Sequence, residues 1–267
     1  MSHSRRGFLG FAPLALVPLV GRPWTLVQAK VDPAFPSQLY AVVKEMVIAS
    51  HGNVARVKEL VGKSPALARA AIDWGYGDWE DALGAASHVG SREIAEFLIA
   101  NGARPSIFSA AMLGQLDAVK AFVAAMPGCE AIHGPHSITL LRHAMAGGPA
   151  AQAVVDYLKT LPGADRKPAT QPLGAEDIAA LSGTYAFGAT AADRLVVSAT
   201  NPSMAASGWS LQMARGDLFP RGLAHLGGHV FYPSGATSVR VRFATNGASA
   251  SVSVFDPDLI MTADKLS

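Results

Sequence analysis

Four side chains able to ligate a metal lie within fifteen residues of one another: Cys129, His133, His136 and His143, spaced Cys-x3-His-x2-His-x6-His. Thiolate and imidazole are the donors of tetrahedral zinc sites. The spacing matches no standard zinc module, however, and residues 127–135 read as a loop while His143 falls inside the helix that follows. The four are therefore expected to be separate surface or capping residues. His225-Leu-Gly-Gly-His229 reads as a glycine turn between strands. A nucleophilic serine would need a Gly-x-Ser-x-Gly elbow on a strand-to-helix turn, whereas Gly208-Trp-Ser-Leu-Gln falls in an expected strand. No glycine-rich phosphate loop with its lysine is present, and no Gly-x-Gly-x-x-Gly opens a helix. The expectation is a non-enzymatic protein with no catalytic residues, no metal and no cofactor.

The segment from Ala71 to Asp81 is chemically denser than any other, with two tryptophans, a tyrosine and four carboxylates in eleven residues. Aromatic side chains dominate binding hot spots, and carboxylates orient a basic partner. Trp74, Tyr76, Asp78, Trp79 and Glu80 are thus expected to form a partner-recognition patch. In the competing reading Trp74 or Trp79 folds back to cap the helices or cover the neighbouring region, leaving the acids solvated.

The elements that must hold these residues divide the chain in two. From Pro36 to about Leu161 the apolar period is helical, with glycine breaks. Asp81-Ala-Leu-Gly-Ala-Ala-Ser-His-Val-Gly-Ser-Arg-Glu-Ile-Ala-Glu-Phe-Leu-Ile-Ala-Asn-Gly-Ala-Arg-Pro-Ser106 resembles one ankyrin repeat: Ala82, Leu83, Ala86 and Ser87 fill the first helix, Gly90 ends it, and Glu93, Ile94, Leu98 and Ile99 form the second. Similar patterns recur at Val47–Val61, Phe108–Val123 and Thr139–Leu158. The resemblance covers residues 38–161 and implies about four degenerate repeats stacked side by side. Gly52 and Gly90 are 38 residues apart but Gly90 and Gly114 only 24, so the aromatic and acidic segment occupies a long connection between the first two copies. The usual Thr-Pro-Leu-His signature is absent; Asp81 stands at the helix cap where the family has threonine, and Thr139 keeps it.

Residues 162–175 hold three prolines, two glycines and no apolar period, and read as a linker. Beyond it, runs such as Arg194-Leu-Val-Val-Ser, Ser238-Val-Arg-Val-Arg-Phe and Ala250-Ser-Val-Ser-Val-Phe alternate with period two. Residues 176–267 are expected to form a small all-β, barrel-like domain. Its Leu181-Ser-Gly-Thr-Tyr-Ala-Phe opening is similar to the accessory β-barrel that ends some bacterial serine-hydrolase-like proteins, a likeness that lends no active site. Tyr185, Phe187, Trp209, Phe231, Tyr232 and Phe243 either pack its core or line a small-molecule pocket.

The first 29 residues read as an address. Arg5 and Arg6 precede an uncharged apolar stretch from Phe8 to Val20, and Val27-Gln-Ala29 supplies a small-residue cleavage site. The Ser-Arg-Arg-Gly-Phe-Leu run resembles the bacterial twin-arginine signal, which implies export to the periplasm, with membrane anchoring if the signal is retained. Its removal takes Arg5, Arg6 and Arg22 from the 22 basic residues and leaves 19 against 20 acidic, net −1 in place of +2. That balance argues against nucleic acid as a partner and leaves no membrane span. Cys129 is the only cysteine, so no disulfide forms within the chain. The function that follows is recognition of an envelope protein or peptide by a rigid stack; the alternative is a ligand-binding or accessory subunit of an envelope enzyme.

Overall fold

A computed structural model of the chain describes residues 36–188, 193–200, 209–216, 218–246, 249–257 and 259–266. Arg5, Arg6 and Ala29, the expected export signal, lie outside the described residues.

Eight helices follow one another in four pairs: α1 (Tyr40–Ala49) with α2 (Val54–Lys63), α3 (Ala82–His88) with α4 (Arg92–Ala100), α5 (Ile107–Met112) with α6 (Leu116–Ala125), and α7 (Leu140–Ala146) with α8 (Gln152–Lys159). The first helices of successive pairs pack on each other, α1 on α3, α3 on α5 and α5 on α7. Small residues permit that approach: Ala82, Ala85 and Ala86 of α3, Ala110 and Ala111 of α5 and Ala144 of α7 are buried. Four starts, of α2, α3, α5 and α7, are capped by side chains, with Asn53, Asp81, Ser106 and Thr139 each accepting from the backbone N–H three residues on. Gly90 and Gly114 end α3 and α5 at φ +75° and +74°, and a Cβ on either would collide with the carbonyl of Ala146 or Ala150.

The connection between the first two pairs is a β-hairpin, β1 (Ala71–Asp73) against β2 (Trp79–Asp81), with Ile72 opposite Glu80 and Asp73 opposite Trp79. Its tip turns through Gly75, Tyr76 and Gly77, all at positive φ. Successive strand residues face opposite ways, so neighbouring side chains diverge completely: Trp79 is 65 % exposed and Glu80 0 %.

A short helix, α9 (Ala175–Leu181), opens the C-terminal region, where only strands were expected. Eight antiparallel strands then run in sequence order around a closed barrel: β3 (Gly183–Ala186), β4 (Arg194–Ala199), β5 (Leu211–Arg215), β6 (Arg221–Gly227), β7 (Val230–Pro233), β8 (Arg240–Asn246), β9 (Ser249–Asp256) and β10 (Leu259–Lys265), with β10 pairing back onto β3. Closure removes both sheet edges. Tyr185, Phe231 and Phe243 fill the centre, with the Phe243 ring 5.8 Å from Tyr185 and 5.5 Å from Phe231, centroid to centroid. The Tyr185 hydroxyl donates to the Leu181 carbonyl (2.7 Å), which ties α9 to the barrel end.

The residues read as a linker are strapped down on both sides. Leu141 N–H donates to Ala164 O and Thr139 Oγ1 to Asp165 on the helical side, while Gln171 N–H donates to His225 O and His225 Nδ1 to Pro172 O on the barrel side. Leu39–Ser267 accordingly form one compact unit. Among the described residues no helix is long and apolar enough to cross a membrane.

Candidate metal centre

The hairpin carries Glu80 into the interior, where three imidazoles meet it. Glu80 Oε1 lies 2.8 Å from His88 Nε2, 3.3 Å from His136 Nε2 and 3.6 Å from His51 Nε2, and the two nitrogens of His51 and His88 are 3.1 Å apart. All four ligand atoms fall within 4.8 Å of one another. Ligands at the usual zinc distances would be about 3.3 Å apart in a regular tetrahedron, and the four distances above bracket that value.

Each ligand comes from a different element. His51 follows α1, His88 ends α3, Glu80 sits on β2, and His136 lies in the loop before α7 with φ +59°. Their orientation is set from outside the cluster. His51 Nδ1–H is shared by the carbonyls of Val47 (3.1 Å) and Ile48 (3.2 Å). His136 Nδ1–H donates to Asp78 Oδ2 (2.9 Å), and the His136 backbone N–H donates to Asp78 Oδ1 (2.8 Å). Both rings therefore turn Nε2 towards Glu80, in the carboxylate–histidine and carbonyl–histidine arrangement that orients metal-binding imidazoles. Trp74 Nε1–H donates to Glu80 Oε2 (2.7 Å) and leaves Oε1 to the imidazoles.

Asp78 also joins this cluster to the barrel. Its Oδ2 accepts from Arg221 Nη2 of β6 (2.6 Å), and the same guanidinium reaches the Ser234 carbonyl. Trp74 meets the Phe219 ring edge-on at 5.5 Å, and Tyr76 packs against the barrel core.

The electrostatics follow from these contacts. Burial opposes ionisation of Glu80 and Asp78, but hydrogen bonds from His136, and from His88 to Glu80, outweigh it and hold both carboxyls below their usual range. Burial alone would depress His136; its bonds to Asp78 and Glu80 instead push it up to about 9. His51 is lowered, chiefly by burial. A cation among the four would take over the role that the His136 proton has between the two carboxylates.

One face of the cluster opens. His88 and His136 line a cleft of ≈ 860 Å³ that runs between α7, the strap after residue 164 and the outside of the barrel, where Trp209 and Tyr232 stand edge to face at 6.0 Å.

The residues singled out in the sequence are thus redistributed. Of the expected recognition patch, Asp78 and Glu80 are buried, Trp74 and Tyr76 are half-buried against the barrel, and Trp79 is exposed. Of the Cys129–His143 group only His136 joins the cluster. Cys129 is buried in the core of the last two helix pairs, with its thiol pushed up by burial. His133 Nε2 donates to the Arg166 carbonyl, and burial pushes His143 down to about 4 with its Nε2 unpartnered. Gly228 and His229 make the expected turn between strands, His225 itself lies inside β6, and His229 bonds Asp177. Of the six barrel aromatics, Tyr185, Phe231 and Phe243 pack the core, Trp209 and Tyr232 line the outer cleft, and Phe187 borders a second cavity of ≈ 270 Å³ at the barrel mouth. His51, His88 and Arg221 carried no expectation. One signal pointed to the first two: the tripeptide Ala-Ser-His recurs at 49–51 and 86–88, at the end of the first helix in successive pairs.

No protein-family model matches this sequence, and a comparison with curated proteins finds no match.

Proposed function

We propose that the chain is an exported metal-binding protein in which an ankyrin-type stack, braced through Asp78 by Arg221 of the β-barrel, holds one transition-metal ion, of the zinc class, between His51, Glu80, His88 and His136. The observation that carries this reading is the convergence of four ligand atoms within 4.8 Å, with His51 and His136 oriented by hydrogen bonds through their far nitrogens. Three imidazoles and one carboxylate suit zinc, copper, nickel or iron better than the oxygen-seeking calcium and magnesium. The four helix pairs with glycine-ended first helices support the ankyrin-type description, and the Arg5–Arg6 signal supports export. Recognition of an envelope protein or peptide is a second proposal, favoured by the solvent-facing indole of Trp79 on the hairpin's outer side.

Elemental analysis of the purified chain, made without a histidine tag, tests the first reading. One metal ion per chain is expected, reduced to background in both His88→Ala and Glu80→Ala. Metal-free protein that also takes up no added zinc would refute it.

A further inference from the structure

Resting on that metal reading, we infer that the centre takes an anionic oxygen ligand from the cleft, the carboxylate or phosphate group of a small molecule, which binds the ion directly and is countered by Arg142 and Lys167.

Three observations lead there. The first is access. Trp74 covers the second oxygen of Glu80, the Val47 and Ile48 carbonyls lie behind His51, and Asp78 with Arg221 lies behind His136. On the remaining side the rings of His88 and His136 themselves form part of the cleft wall. A bound ion is thereby reachable from a cavity whose ≈ 860 Å³ is the size of small-molecule sites. Zinc can expand its shell from four ligands to five where a ligand has a path to it.

The second is charge. Among the described residues lining the cleft, Arg142 and Lys167 are cationic and none is a carboxylate. Arg142 has a loose ion pair with Asp165, at 3.9 Å and outside the cleft lining. The ion itself brings two positive charges against the single one of Glu80. The cleft field therefore favours an anion and disfavours a cation.

The third is the donor set. Ser137, Thr170, Tyr232, Ser234 and Thr237 put hydroxyl groups around the same space, while Trp209 supplies an apolar wall. Hydroxyl donors facing a cation suit an oxyanion on a compact organic body better than a bare apolar ligand.

Cobalt substitution reads this directly, because the visible absorption of a four-coordinate cobalt ion changes when a fifth ligand joins. The metal-stripped full chain is loaded with cobalt and titrated separately with inorganic phosphate and with succinate, to tell the two oxyanion types apart. A saturable spectral change with at least one of them is expected. In the Arg142→Ala/Lys167→Ala double variant the anion-free spectrum should be unchanged and the affinity lower by about ten-fold. If the wild type takes up no cobalt, the metal reading fails and this inference with it. A normal cobalt spectrum that neither anion alters overturns the inference alone. So does anion affinity that survives in metal-free His88→Ala, or that is unchanged in the double variant.

Discussion

Inside the barrel the buried side chains include Tyr185, Phe231, Phe243, Leu211, Leu223 and Val239, and their contacts are edge-to-face rings and aliphatic packing. Where the hairpin meets the helices, the buried side chains are Asp78 and Glu80, with His51, His88 and His136 closing over them. The first interior needs only shape, since burial of apolar area stabilises it without regard to partners. The second carries charge into a region that costs free energy to enter, and it holds only because every carboxylate oxygen has a donor. Packing requirements explain the aromatic and aliphatic centre of the barrel. They do not explain why a connection between helix pairs should bring two acids and three imidazoles together, and the metal-binding proposal rests on that excess of polar organisation.

The comparison can be broken by substitution. Glu80→Ala leaves the His88 and His136 imidazoles and the Trp74 indole N–H without their acceptor and is expected to destabilise the metal-free chain by about 3–5 kcal/mol in urea unfolding. Phe231→Ala, its barrel counterpart, should cost about the same for a different reason, the cavity left in a packed core. Zinc separates the two. At about a hundred times its dissociation constant, zinc should stabilise by roughly 2.7 kcal/mol and raise the Tm by about 5–10 °C. That rise is expected in the wild type and in Phe231→Ala, and not in His88→Ala; a scanning-fluorimetry series reads all three. Asp78→Asn keeps the shape but weakens the bonds to His136 and Arg221 and should cost about 2 kcal/mol. Trp79→Ala, one residue from Glu80 but on the outer face, should change stability by less than about 0.5 kcal/mol. Loss of a captured envelope partner in that variant would then report recognition alone.

Much of the architecture was legible because it rests on local chemistry. Glycines at 90 and 114 mark helix ends where only positive φ and the absence of Cβ allow the next turn. The alternation in Arg194–Ala199 and Ser249–Asp256 marks strands with one inward face. β6 gave no such pattern, since Arg221, Gly222, Leu223, Ala224 and His225 are all buried and burial on both faces erases the period of two. α9 was hidden behind the proline-rich strap. The site itself was the least legible part. Its ligands stand at 51, 80, 88 and 136, so no short spacing encodes them, and His136 looked like a member of a local Cys–His group that the fold disperses. Glu80 and Trp79 read as one patch because they are adjacent in sequence, yet the hairpin sends one inward and the other out. The recurrent Ala-Ser-His was the usable clue, because it falls at the ends of α1 and α3, which pack on each other.

X-ray absorption spectroscopy of the zinc-loaded chain tests the central claim most directly, since it reads ligand type without reference to stability. The account predicts three imidazole nitrogens and one oxygen at about 2.0–2.1 Å, with any fifth ligand also an oxygen. A sulfur at about 2.3 Å, which only Cys129 or a methionine could supply, or a shell of oxygens without imidazole, would contradict it.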